Sequence, residues 1–349
     1  MSTASPGRRS LAEALQCDRL SDLLGAPVLA TRVVDAHDGT TGRAVLELDT
    51  LNDTLPPRLF AKFPPEDEMQ RAFVTSAGMG KREALFYEFL SGEVPVRVPR
   101  SYAACSDEDG EDYLMLLEHL VDSDCTFDNA SNRYSLSYVR QILDAFASLH
   151  AAYWDSPRFS TDLSWVEPPL QHEIAIELIG QSVEQHADAM PPVFREMANL
   201  YLAETDAIHQ LWQQGTPTLI HGDVHDGNLF YDGDQPGFLD WALVARAPAM
   251  RDIGYFLAGT LSSDDQRDAA GDLLAHYRDQ LQMRGIDPPS PGELWQQYQW
   301  HAAYVWVGAT ATLAMGDAWQ PVSYVMASLE RLHAAMETIG SVDAIRKAL

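Results

Sequence analysis

The chain has 349 residues, 46% of them apolar and 21% charged, a globular composition with room for one large or two modest domains. Its net charge of −27, from 24 basic and 51 acidic side chains, repels phosphate backbones and anionic lipid, which sets aside nucleic acid and membrane surfaces as partners. No apolar run is long enough to cross a membrane, Met1 to Ser10 leads into a stretch too polar for a secretory signal, and Cys17, Cys105 and Cys125 are odd in number and form no C-x-x-C, so a cytoplasmic protein without disulfides or zinc is expected.

Up to about residue 120 the chain reads as short strands. Apolar, β-branched runs fall at Pro27 to Asp35, Ala44 to Thr50, Leu59 to Phe63 and Tyr113 to Glu118, separated by turn clusters such as His37-Asp38-Gly39 and Asp107-Glu108-Asp109-Gly110. One helical segment interrupts them, Lys81 to Leu90, with Ala84, Leu85, Tyr87 and Leu90 on its apolar face. Beyond residue 120 helical periodicity takes over, with Val139, Ile142, Leu143, Phe146, Leu149 and Tyr153 at three- and four-residue steps, and Phe194 to Trp212 more loosely. Within that part a β-like insertion runs from Thr218-Leu219-Ile220 through a polar loop to a hairpin, Leu229-Phe230-Tyr231 and Gly237-Phe238-Leu239. The class expected is α+β, with a β-rich segment at 1–120 that includes an N-terminal helix, and a mainly helical one at 121–349.

The densest polar cluster is His221-Gly222-Asp223-Val224-His225-Asp226-Gly227-Asn228, followed by Asp240-Trp241 after the hairpin. Phosphoryl transfer needs a carboxylate to orient or deprotonate an acceptor hydroxyl and oxygen ligands for Mg²⁺ on the nucleotide phosphates; Asp223, Asn228 and Asp240 supply that set, in the H-x-D-x-x-x-x-N spacing. Such chemistry also needs a strand lysine for the phosphates and a helical glutamate to hold it. Lys62 lies inside an apolar strand, where an unpaired ammonium is expensive, and Glu83 is its expected partner, with Glu88 on the same helix as the rival. The turn His37 to Arg43, with Thr40, Thr41 and Gly42, is placed to cover phosphates, although a plain hairpin turn has the same composition; no Walker A sequence is present.

Taken together, Phe60-Ala61-Lys62-Phe63, Glu83-x-x-Phe86-Tyr87, Leu116-Leu117-Glu118, Leu149-His150-Ala151, His221-Gly222-Asp223, Asn228, Phe238-Leu239-Asp240-Trp241 and Arg251 to Leu257 resemble, in order, the aminoglycoside phosphotransferase and choline kinase group, and most nearly its ecdysteroid-kinase-like branch. The resemblance implies a protein-kinase-like two-lobe fold, an N-terminal antiparallel sheet with one helix and a larger helical lobe. It also implies ATP and Mg²⁺ as cofactors, Asp223 as catalytic base, Asn228 and Asp240 as metal ligands, and Lys62 with Glu83 on the phosphates. Glu118 and Leu120 fall in the hinge whose backbone meets adenine. His221 and Asp252 are implied as braces of the catalytic loop, and His225 as either a phosphate contact or a loop residue. Asp240-Trp241-Ala242 in place of D-F-G, with no A-P-E, disfavours a protein substrate. The missing glycine-aspartate pair in Val244 to Met250 points away from antibiotic kinases.

The acceptor is expected to be a small hydroxylated molecule held by the helical part, where Trp295, Tyr298, Trp300, Tyr304 and Trp306 either wall a pocket or pack a core. Two other functions stay open at this point. A catalytically silent nucleotide-binding scaffold would bind without turnover, and a metal-dependent hydrolase using His221, Asp223, His225 and Asp240 would leave Lys62 without a task.

Overall fold

The computed structural model describes residues 11–38, 40–51, 54–127, 135–169, 173–317 and 319–349. The chain forms two compact units, one of Met1–Phe127 with Phe230–Leu243, the other of Asp128–Leu229 with Val244–Leu349. Among the described residues no helix is long and apolar enough to cross a membrane.

The first unit is built on an antiparallel sheet of β1 (Val28–Asp38), β2 (Gly42–Thr50), β3 (Arg58–Phe63), β4 (Ser101–Ser106) and β5 (Tyr113–Glu118), in the order β1-β2-β3-β5-β4. Strand alternation sends Leu46, Leu59, Ala61, Leu114 and Leu116 into a core closed by Leu15 and by Leu20 of the helix Cys17–Leu24. It sends Lys62 to the opposite face. There Arg43 and Met115 are its cross-strand partners. The helix Met79–Leu85 starts after Gly78, whose φ of +64° suits glycine, and continues into a wider π-type turn, Phe86–Leu90. A Cβ on Gly80 would lie 2.0 Å from the Tyr113 ring, so only glycine lets this helix settle on β5 and carry Glu83 over the sheet.

The hairpin of β7 (Leu229–Asp232) and β8 (Gln235–Phe238) follows β6 (Pro217–Ile220) in sequence and was placed by periodicity in the helical part. Packing puts it, from Phe230 on, with the sheet. Phe230 and Leu239 pack with Leu120 and Cys125, Trp241 stacks on Phe86 at 4.0 Å, and Arg97 donates to Asp232 at 2.7 Å.

The second unit is helical apart from β6 paired with β9 (Ala245–Pro248). Its long helix, Pro291–Met315, is launched by a reciprocal Ser290–Glu293 capping box with proline in the first turn. It packs on the helix Met250–Thr260 so closely that a Cβ on Gly254 would be 2.8 Å from His301 Cβ and 3.1 Å from its carbonyl carbon. Tyr298, Trp300 and Trp306 are buried core residues rather than pocket walls, and only Trp295 and Tyr304 of that aromatic series are partly open.

Gly254→Ala is therefore expected to cost about 1–3 kcal/mol, because backbone has to move. Gly308→Ala, in the middle of the long helix with nothing near its Cβ position, should gain up to about 1 kcal/mol. Urea unfolding of the two variants beside the parent checks the contrast.

Candidate active site

Two groups of side chains stand out, one in each unit. In the first, the Lys62 ammonium reaches Glu83 Oε2 at 2.5 Å and Asp240 Oδ1 at 3.1 Å. Lys62 is 4% exposed and Glu83 0%, so the pair forms out of water, where each charge needs the other. Burial pushes the Glu83 carboxyl up, and the nearby Lys62 charge opposes it. Glu88 stays exposed and takes no part.

Asp240 follows β8 with φ of +63°, a left-handed conformation uncommon for a residue with a side chain, of the kind retained where a function over-determines it. Its second oxygen accepts from Arg43 Nη2 at 3.2 Å. Arg43 enters the sequence reading only as the last residue of the turn His37 to Arg43, with no role of its own. It joins the group because the β2–β3 register sets it directly opposite Lys62. Thr41, at the start of β2's turn, is 2% exposed with no partner for its hydroxyl among the described residues, and Gly42 lies under the Phe63 ring. Thr40 is partly buried beside them, and Gly39 of the same turn lies outside the described residues.

Glu118 is engaged elsewhere. Burial raises its carboxyl, but hydrogen bonds from Arg97 Nη2 at 2.8 Å and from the Arg100 N–H at 2.9 Å outweigh that and hold it low. Leu120 is a core side chain; the Glu118 N–H bonds the Arg100 carbonyl at 2.8 Å, and the Leu120 carbonyl accepts from the Cys125 N–H at 3.1 Å.

In the second unit, Asp223 Oδ1 accepts from the Tyr255 hydroxyl at 2.9 Å, and Asn228 Nδ2 donates to the Asp223 carbonyl at 2.9 Å and to its Oδ2 at 3.2 Å. Burial, and then the Asp223 charge, keep the Tyr255 phenol protonated well above its usual range, which makes it a steady donor. With both Asn228 bonds spent through nitrogen, its Oδ1 is the atom left for a cation. His225 Nδ1 accepts from the Gly227 N–H at 3.0 Å, while its Nε2 stands 3.8 Å from Asp223 Oδ2, too far for a hydrogen bond.

The loop carrying Asp223 is anchored beneath by Asp252, itself 0% exposed. Its oxygens accept from the His221 N–H at 2.7 Å and the Gly222 N–H at 2.8 Å, and His150 Nε2 is 3.3 Å away. Tyr277 is 2.8 Å from the other His150 nitrogen. Gly222 turns with φ of +86° between the anchored amides, and the buried His221 ring accepts the Asp223 N–H at 3.3 Å. Tyr255, His150 and Arg43 are the site residues that sequence reasoning left without roles. The first two lay inside motif segments, but their geometry depends on how helices face one another.

A family model described as a phosphotransferase enzyme family matches residues 31–291. No curated protein matches the chain. Among solved structures, a protein of Ralstonia eutropha JMP134 provisionally described as an aminoglycoside phosphotransferase is 16% identical with a TM-score of 0.58, covering 97% of this chain and 99% of that one. The choline kinase LicA of Streptococcus pneumoniae is 15% identical with a TM-score of 0.53, covering 95% and 100%. The GDP and kanamycin complex of APH(2″)-IIIa is 15% identical, also with a TM-score of 0.53, covering 91% and 97%. These likenesses give the chain the protein-kinase-like fold, an N-terminal antiparallel sheet with a helix and a larger helical part.

Lys62→Met strands Glu83 in the interior. With its contacting counter-charge gone and only the more distant Arg43 left, its folded pKa rises further above the ordinary 4.5, so the native state keeps a proton the unfolded chain releases, and stability falls as pH climbs past that value. The expected loss is about 3–5 kcal/mol at neutral pH, shrinking towards pH 4.5. Urea unfolding of parent and variant across that range tests it; a difference that does not change with pH would rule out a charged Glu83.

Proposed function

The chain belongs to the phosphotransferase enzyme family, and from that premise we propose that it is a small-molecule kinase moving the γ-phosphoryl group of ATP onto a hydroxyl of a small organic acceptor. The observation that carries the reading is Lys62, a buried ammonium set between Glu83 and Asp240. A hydrolase has no use for that lysine, and the His221 ring is already spent on its own loop. APH(2″)-IIIa is seen with GDP, and with GDP and kanamycin together, which supports a nucleotide as donor. The choice of ATP rests on the motif resemblance.

In this reading Lys62, held by Glu83, and Arg43 neutralise the phosphates, with the Thr41 hydroxyl beside them. Asn228 Oδ1 and the Asp240 carboxylate are hard oxygen donors suited to Mg²⁺. The ion would offset phosphate charge as it redistributes in transfer. Asp223 takes the proton of the acceptor hydroxyl as that oxygen bonds to the γ-phosphorus and the bond to the departing ADP oxygen breaks. Tyr255 and Asn228 aim the base, while Asp252 and His150 hold its loop. His225 is a loop residue whose Nε2 faces Asp223. We further place the chain beside the ecdysteroid-kinase-like branch, on the sequence of Val244 to Met250, and in the cytoplasm.

Mg²⁺-dependent ADP release over a panel of hydroxylated compounds tests the proposal. Asp223→Asn should lower turnover by about 10²–10⁴-fold with nucleotide affinity unchanged. Tyr255→Phe, which frees the base but keeps it, should cost roughly tenfold or less, the scale of one hydrogen bond. Near-full turnover in Asp223→Asn would remove the base assignment, and ATP binding without turnover of any compound would favour a silent scaffold.

A further inference from the structure

The helical unit holds a buried cation with no counter-ion. Arg251, on the helix Met250–Thr260, is 1% exposed, and among the described residues it forms no ion pair and its Nε and Nη1 have no hydrogen-bond partner. Its neighbour in sequence, Asp252, is committed to the catalytic loop. The guanidinium rests on Tyr304, with Cζ 3.5 Å from the ring centroid, and lies 6.0 Å from that of Trp212. An aromatic face answers for the flat side of a guanidinium but not for its edges, which end in N–H donors. A carboxylate or phosphate can pair with either edge, Nε–Nη2 or Nη1–Nη2, and each has at least one unpartnered nitrogen.

A second unpartnered group stands close by. His301 is 0% exposed, and neither of its ring nitrogens has a partner among the described residues. Burial, and then the Arg251 charge, pull it down to about 3, so at neutral pH it is an uncharged imidazole with one N–H to give. His301 and Tyr304 are one turn apart on the helix Pro291–Met315, the element packed against Arg251. Natural interiors rarely leave so many donors unused, and these two side chains offer donors to an anion and repulsion to a cation.

Their place relative to the base says what the anion belongs to. Tyr255, one turn after Arg251 and so about 6 Å along the helix, donates to Asp223 at 2.9 Å. Tyr304, which carries the guanidinium, is near enough to Tyr255 to help hold its phenol protonated. We propose that Arg251 with His301 recognises an oxyanion group, a carboxylate or phosphate ester, on the hydroxylated acceptor that Asp223 activates. The acceptor is then a hydroxy acid or a hydroxylated phosphate ester rather than a polycation, a conclusion that rests on the kinase reading above.

Arg251→Met and Arg251→Lys test it. Methionine keeps the apolar stem and removes an unpaired buried charge, so the ligand-free variant should melt no lower than the parent. Melting is followed with inorganic phosphate, and with hydroxy acids and hydroxylated phosphate esters beside their neutral amide or alcohol analogues; ADP release is followed with the same pairs. The expected result is that the anionic member of a pair stabilises the parent and is phosphorylated, and that Arg251→Met loses both, kcat/KM falling at least 30-fold and mainly through KM. Arg251→Lys should recover part, and the neutral analogues should be indifferent to the substitution. Stabilisation by inorganic phosphate as strong as by any organic anion would assign the site to a free ion and overturn the acceptor role. So would equal preference for anionic and neutral members of each pair, or an unchanged preference in Arg251→Met. ATP-induced stabilisation, read in the same melts, reports on the kinase reading separately: its absence in the parent counts against that reading, while its persistence in Arg251→Met beside lost anion selectivity isolates the role of Arg251.

Discussion

A positive charge buried on the face of a β-sheet away from its apolar core is the constraint from which the first unit follows. Lys62 is buried among apolar strand neighbours, and an ammonium there is tolerable only with a carboxylate in contact. That requirement dictates a helix crossing the sheet at the height of β3, a glycine at position 80 so that the helix can lie on Tyr113, and a hairpin that delivers Asp240 from the far side of the sequence. Each of these costs something alone: a left-handed aspartate, a glycine in a helix, a buried glutamate. They are retained together because each answers the same charge. Arg43 adds a second cation to the group, so Asp240 accepts from two positive side chains.

In the second unit the organising element is an anion rather than a cation. Asp252 sits at the first turn of its helix and spends both oxygens on the backbone of the loop that carries Asp223. The loop is thereby held by main-chain bonds, while the side chains of Asp223 and His225 stay about a third exposed. Preorganisation of this type is what phosphoryl transfer asks of a protein, since positioning and charge compensation supply most of the rate. His150 and Tyr277 extend the support into the helical core.

The sequence made the candidate site residues visible because they lie in short segments with characteristic neighbours: a polar loop, an aspartate after a strand, a lysine within an apolar run. Four of the five sheet strands were visible for the same reason. Ser101–Ser106 was not, since its small, half-buried residues form a sheet edge with no strong alternation. The contact of Arg43 with Asp240 was invisible because it is set by cross-strand register, and that of Tyr255 because its target lies on another segment of chain. The aromatic run in Pro291–Met315 gave no means of separating core from wall; burial now separates Trp306 and Tyr298 from Tyr304. The hairpin was assigned by its neighbours in sequence, whereas Phe230 and Trp241 follow the apolar partners they can bury against.

That hairpin also has a genealogical consequence. The β-rich unit is discontinuous, its last fourteen residues arriving only after the chain has made a hundred residues of the other unit, as the boundaries Phe127, Phe230 and Leu243 show. A gene fragment ending near Phe127 encodes a sheet without Asp240, and one beginning there encodes helices and a hairpin whose packing partners Leu120, Cys125 and Phe86 are missing. Neither half can be inherited, duplicated or fused to another protein as a working piece. A lineage of such chains can diversify its helices and loops, but it has to pass the two interleaved units on as a single unit of descent.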